Sequence, residues 1–460
     1  MRKFPLSASP RAKCRPRDFA IEWTLSAGVT PAAPRVAVWV LLAALMREGG
    51  CVDIGGVGFE TGRREVLNMD RNVSERVRTY FEKVAALAPV IREHADRAER
   101  EAQMAREVAD AFREAGLFRV VLPREMDGGE LTIPDLLRVC EEVARIDGSA
   151  GWNLAICSGG PLFGYNLSRA AFEKIFGDPR GVSAGSLNPM TTQVVAADGG
   201  WRFSGKATYA SASAHATYLM AAGIVLHDGA PQIVDGFPVM RAGMFPIKHA
   251  KILNTWSTAG MRGTGSNDCV FENVIVPDEF TFDWLNAKSP WQRGPFANIP
   301  LQLQVLGELV SVVLGVARHA LDELKNIAQA KVPAATRAPL RERSIAQVQF
   351  AQAEGLLHAA RAYFYSCNDE IWRKGVAGES FSIEDRAHAR LAVVTAAKLA
   401  VQAVDLVADA AGMNSAQTSC PIERCWRDVH TASQHVLMNT ARFEVVGRVL
   451  FGLDPGSPVI

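Results

Sequence analysis

Residues 421–452 read PIERCWRDVHTASQHVLMNTARFEVVGRVLFG, and the identity of this run decides both fold and chemistry. Its apolar residues recur at helical spacing from about 421 to 450. Within it stand Arg424-Cys425-Trp426-Arg427-Asp428 and, further on, His435-Val436-Leu437. Val436 can move no proton, whereas His435 carries an acid/base group near neutral pH. His430 precedes it by five residues, about 140° away around a helix, so only one of the two faces a given pocket. A lone His in a helix is more often a hydrogen-bonded packing residue than a reactive one; the position of His435 in this run favours reactivity. Arg427 and Asp428 read as structural ion pairs.

The chain has 460 residues, 48% of them hydrophobic, and a formal net charge of +1. That is enough for two or three domains with sizeable cores. Near-neutrality argues against nucleic acid or an anionic membrane as the main partner. The 8 cysteines form no Cys-x-x-Cys pair and have no His-rich companion, which fits reduced, buried thiols in a cytosol and no metal site. Cys420 and Cys425 meet only if the chain bends at Pro421, so a disulfide between them is not expected.

Residues 1–68 differ from the rest. Basic residues precede a Pro/Ala stretch, an apolar run at 36–46 and then Gly49, Gly50, Gly55, Gly56 and Gly58. That run is too short for a bilayer, which needs about 20 apolar residues, and it lies too far from the start for a signal peptide. A poorly ordered, dispensable N-terminal extension is expected there. Residues 69–181 read as an α-helical domain, its first tract broken near Pro89 and a later helix closed by Gly116. Residues 182–285 switch to strand periodicity, with a hairpin turn at Asp198-Gly199-Gly200. Residues 296–452 hold four helical tracts, about 301–331, 339–374, 383–411 and 421–450, whose apolar faces suit a bundle that also meets other subunits.

The Arg424–Asp428 core resembles the late helix of acyl-CoA dehydrogenase-like flavoproteins, where an aromatic residue followed by Arg-Asp precedes the active-site segment. A dehydrogenase would carry its catalytic Glu shortly after that Asp; this chain has His435-Val436-Leu437. The segment is similar instead to the two-component flavin-dependent monooxygenases of the acyl-CoA dehydrogenase-like superfamily, which place a His at this point. Three further stretches are similar to the same family: the run from Gly116 through Asp147-Gly148-Ser149 to Trp152, the Gly205–Ser213 strand and turn, and the Trp256–Ser266 loop with Arg262-Gly263-Thr264-Gly265-Ser266.

The resemblance implies an α+β, acyl-CoA dehydrogenase-like fold: an N-terminal helical domain, a central β-domain and a C-terminal four-helix bundle. It implies a cytoplasmic homotetramer that takes reduced FMN from a separate flavin reductase, with FAD as the alternative. With O2, such an enzyme hydroxylates or N/S-oxygenates a small aromatic or heterocyclic substrate. Of the site residues, His435 would move a proton during oxygen transfer and Ser211 would stand at the flavin's reactive edge. Ser213 competes for that role, because the family has Gly after this Ser and here Ala212 follows. Ser186, Ser211, Ser213, Arg262, Thr264 and Ser266 would contact the flavin and Lys331 its phosphate; Trp152 and Cys157, with Asn153, Phe163 and Tyr165 nearby, would face the substrate. No Gly-x-Gly-x-x-Gly follows a strand, so a resident nicotinamide domain is not expected. The runner-up is an FAD-dependent acyl-CoA dehydrogenase using Glu308 as its base; a silent scaffold ranks third.

Overall fold

The computed structural model describes residues 75–460 apart from Ala335 and Pro458; the expectations for residues 1–68 lie outside the described residues. Helix α1 (Glu75–Glu101) continues through Pro89, where the sequence suggests a break. Pro89 is exposed, while Val84, Ala88 and Ile91 on either side of it are buried. Packing along that face outweighs the roughly 3 kcal/mol that an interior proline costs. The chain turns instead at Ala102, in left-handed backbone, before α2 (Arg106–Glu114), which Gly116 closes at φ 74°.

Two capped helices follow. In α3 (Ile133–Ala144) Thr132 accepts from the Asp135 amide, and in α4 (Gly148–Gly164) the Asp147 carboxylate accepts from the Ala150 amide at 2.8 Å. Every residue of α4 except Ile156 is buried, as befits a helix apolar on all sides at the centre of a molecule. The short α5 (Arg169–Phe176) ends the helical region.

The β-region runs from β1 (Ser183–Ser186) through β2 (Thr192–Ala197), β3 (Gly200–Ala210), β4 (Tyr218–His227), three two-residue strands β5 to β7, β8 (Met240–Pro246), β9 (Lys251–Ile252) and β10 (Asn267–Pro277) to β11 (Thr281–Asp283). The β2–β3 hairpin pairs Thr192 with Gly205 and Ala197 with Gly200 around Gly199, whose φ is 75°. Strand β4 is central, parallel to β1 and β2 and antiparallel to β8. The antiparallel β3–β10 pair sets Ala210 opposite Asn267, so the turn after β3 must meet the loop before β10.

The C-terminal region begins with short helices α6 (Pro295–Asn298) and α7 (Leu301–Gln304), then α8 (Glu308–Ala330), α9 (Ser344–Ala377) and α10 (Ile383–Ala411). A reciprocal capping box of Ser382 and Asp385 starts α10. The last tract, continuous by periodicity, is two helices: α11 (Pro421–Ala432) and α12 (Arg442–Leu450). His435 therefore sits in the turn between them, and the 140° rotation from His430 does not apply. The described cysteines, Cys420 and Cys425 among them, are all free.

Candidate active site

The turn after β3, the loop before β10 and the turn after α11 converge on Trp152 of α4. The buried Trp152 indole donates to Ser211 Oγ at 3.1 Å, and Ser211 Oγ lies 2.6 Å from Ser266 Oγ. Ser266 Oγ is 2.7 Å from Thr264 Oγ1, whose hydroxyl donates to the Met261 carbonyl at 2.8 Å. That last bond orients the row: Thr264 accepts from Ser266, Ser266 accepts from Ser211, and Ser211 accepts from Trp152. The Ser211 proton is thus committed inward, and what Ser211 offers outward is a lone pair. Ala212 follows at φ 59°, which explains why a glycine suits this position. Ser213 is buried in the same turn.

His435 meets Trp152 edge to face, ring centroids 5.7 Å apart. Its Nδ1 accepts from the Leu437 amide at 3.3 Å, which assigns the ring proton to Nε2. Burial, and secondarily the Arg442 charge, push its pKa down to about 4, so the imidazole is neutral and presents an N–H. His430 belongs to another environment: its Nε2 is 2.9 Å from Asp405 Oδ1 and its ring packs on Trp426.

Helix α11 holds the 260–266 loop by its backbone. Asp428 accepts from the Met261 amide and Thr431 Oγ1 from the Gly260 amide at 3.0 Å. A Cβ at Gly260 would stand 2.2 Å from the Arg427 carbonyl, so only glycine lets loop and helix approach this closely. Asp428 is therefore a backbone clamp, not half of an ion pair; Arg427 alone is salt-bridged, to Glu99 and Glu423, each at 2.6 Å. Burial first, then Asp147 and Glu99, push the Asp428 carboxyl up to about 7. Thr431 is not among the residues that the motifs single out; its legible signal is the three-residue spacing from Asp428, which puts both on one face of α11.

The remaining candidates divide. Asn153 is fully buried and donates to the Gly263 carbonyl at 3.1 Å, tying α4 to the same loop. Ser186 accepts from the Asn188 amide at 3.3 Å, and Asn188 bonds Thr208, so this loop borders the Ser211 turn without joining the hydroxyl row. Arg262 spends its guanidinium on the Glu99 and Thr258 carbonyls at 2.9 and 3.1 Å. Lys331 bonds the Ala411 carbonyl and Asn414 Oδ1, closing the end of α10. Cys157 lies five residues beyond Trp152, about 140° around α4, with burial pushing its thiol up to about 12. Tyr165 donates to the Val121 carbonyl and stacks on Phe172, in the core.

Residues 70–170 match the acyl-CoA dehydrogenase N-terminal domain and residues 309–440 the acyl-CoA dehydrogenase C-terminal domain. The indole-3-acetate monooxygenase of Pseudomonas putida is 32% identical over 360 residues, 78% of this chain and 90% of the relative. Its namesake from Acinetobacter baumannii is 28% identical over 80% of this chain and 94% of the relative. The crystal structure of the 3-HSA hydroxylase from Rhodococcus superposes with a TM-score of 0.77 at 24% identity, covering 82% of this chain and 98% of the hydroxylase. The two matched helical domains, the 32% identity over 78% of the chain and the shared fold agree: the chain belongs to the flavin-dependent monooxygenases built on the acyl-CoA dehydrogenase fold.

Proposed function

We propose that the chain is the oxygenase component of a two-component system: it takes reduced FMN from a separate flavin reductase and oxygenates a small, indole-type heteroaromatic compound. The observation that carries this is the convergence of Trp152, the Ser211–Ser266–Thr264 hydroxyl row and His435 at one point. Those residues fit a reduced flavin. The outward lone pair of Ser211 suits an N–H donor, which a reduced flavin presents at N5 and an oxidised one does not. A bound reduced flavin supplies the electrons that activate O2. Ser211 orients its ring, Trp152 fixes Ser211, and the neutral His435 donates from Nε2 to a reacting oxygen. The hydroxyl row offers neither an ionised group nor a free donor, so negative charge that develops beside it is met by the Nε2–H of His435.

The indole-type substrate is supported by the two relatives named for indole-3-acetate. FMN is favoured because Lys331 is engaged within its own chain, while FAD stays the alternative, since a similar fold is known in complex with FADH2. The dehydrogenase reading needs an ionised carboxylate; Val436 has none, and burial pushes the Glu308 carboxyl well above the usual range. We further propose a cytoplasmic homotetramer without nucleic-acid or membrane partners. Free thiols, buried among the described residues except Cys367, and a net charge of +1 support this, as do exposed apolar residues on the C-terminal helices such as Val348, Val376 and Leu450. Two helical stretches are long and apolar enough to cross a membrane; Leu301–Ala330 is 83% buried and reads as core.

The test mixes the full chain with photoreduced FMN, O2 and indole-3-acetate, and measures oxygenated product against hydrogen peroxide. Product above the level given by free flavin is expected. Flavin reoxidation that yields only peroxide with indole-3-acetate, indole and simple phenols would remove the reading.

A further inference from the structure

One stripe of helix α4 carries Gly148, Trp152, Gly159 and Phe163, spaced by four, seven and four residues. Trp152 carries the reaction end of this stripe. Gly159 lies about 10 Å further along the axis and only about 20° around it. There it faces Glu308, at the start of α8, so closely that a Cβ at 159 would stand 2.3 Å from Oε1 and 2.4 Å from Oε2. Glu308 is 4% exposed, and its Oε1 has no hydrogen-bond partner among the described residues. The nearby polar side chains are already engaged, for Ser158 donates to the Leu154 carbonyl at 2.6 Å and contacts Cys140. Gly160 repeats the arrangement: a Cβ there would stand 2.3 Å from Ser183 Oγ, a second buried oxygen without a partner. One turn beyond Gly159, Phe163 packs on Trp284, centroids 6.0 Å apart.

Buried polar atoms are nearly always paired, and leaving one unpaired costs about 1–3 kcal/mol. Here the Glu308 oxygen faces Gly159 on the same stripe of α4 as Trp152, about 10 Å along the axis, whereas Ser183 meets a face about 100° around the helix. Apolar walls with a few convergent polar groups are what a small-molecule pocket is made of. We propose that Glu308 is the recognition group of the substrate pocket: its carboxyl accepts a hydrogen bond from an N–H or O–H of an aromatic substrate whose reacting ring lies toward Trp152 and His435. Burial keeps that carboxyl un-ionised, so it binds a neutral donor and not a cation, with no charge to neutralise. The inference rests on the reading of the chain as an oxygenase of indole-type compounds and names the atom by which such a compound is selected.

Equilibrium dialysis of the full chain with matched ligands tests it: indole against benzofuran, and 2-naphthol against its methyl ether, for wild type, Glu308→Gln and Glu308→Leu. Wild type should bind the donor of each pair ~10-fold more tightly, the equivalent of one hydrogen bond. Glu308→Gln should keep the preference and Glu308→Leu should erase it, while Glu308→Leu melts no lower than wild type because it removes an unpaired polar group. Preference that persists in Glu308→Leu, equal binding within both pairs by wild type, or failure of every donor ligand to bind overturns the assignment. Indole binding and turnover without donor preference would sink the Glu308 role alone. Selection of naphthol through Glu308 without any indole binding would instead sink the indole-type substrate and leave Glu308 in place.

Discussion

At the residue scale the two histidines of the 421–452 run separate by environment. His435 stands against Trp152 with Nε2–H available, whereas His430 is engaged by Asp405. His435→Ala should lower oxygenated product by about 10²-fold or more while flavin is still consumed, the loss falling to peroxide. His430→Ala should change the product yield little. Equal product-to-peroxide ratios in wild type and His435→Ala would reduce His435 to packing. Ala212 gives a stability prediction of unusual sign. Its left-handed backbone costs about 1–2 kcal/mol in a residue with a Cβ, more than the roughly 0.5–1 kcal/mol of chain entropy that glycine adds. Ala212→Gly should therefore stabilise by up to about 1 kcal/mol in urea unfolding, and a clear loss would show that the turn is not strained.

At the element scale α11 is the strut that fixes the flavin-side loop, through Asp428 and Thr431. A carboxyl held at about 7 in the fold and near 3.9 in the unfolded chain keeps a proton on folding between those values. Its contribution to stability is full below about pH 4 and is lost as pH rises to about 7. Asp428→Asn keeps the acceptor for the Met261 amide and removes this titration. The melting temperature of the variant relative to wild type should climb from pH 4.5 to 7 and then level, within a ceiling of about 4 kcal/mol. Parallel profiles would show that Asp428 titrates where an ordinary aspartate does. Thr431→Val leaves the Gly260 amide without its acceptor, and should cost about 1–3 kcal/mol and weaken retention of reduced flavin in gel filtration.

At the scale of the whole molecule, Val348, Val376 and Leu450 leave more apolar surface exposed on the C-terminal helices than one bundle needs. Light scattering at micromolar concentration should give four times the chain mass; a monomer mass would remove the tetramer. Assembly should also raise the melting temperature with protein concentration, as mass action requires when subunits bind only in the folded state.

Local chemistry carried much of this protein in its sequence. The β2–β3 hairpin is written in Asp198-Gly199, the end of α2 in Gly116, and the alternation of helical and strand periods separates the three regions. Each depends on neighbours within a few residues. The break between α11 and α12 was not legible, because no glycine or proline marks it between Pro421 and Gly447 and the helical pattern runs on through it. Pro89 failed in the opposite direction, a local stop signal overridden by the buried face of α1. Lys331 shows why spacing alone misleads: a basic side chain goes to whichever oxygens the fold brings near, here the end of α10. The site itself was decided by tertiary structure. Residues 152, 211, 266 and 435 are far apart in the chain and meet only because β3 pairs with β10 and α4 lies buried beneath that edge. The direction of the hydroxyl row, the neutral state of His435 and the unpaired oxygen of Glu308 follow from burial and partners, which exist only once distant segments have packed.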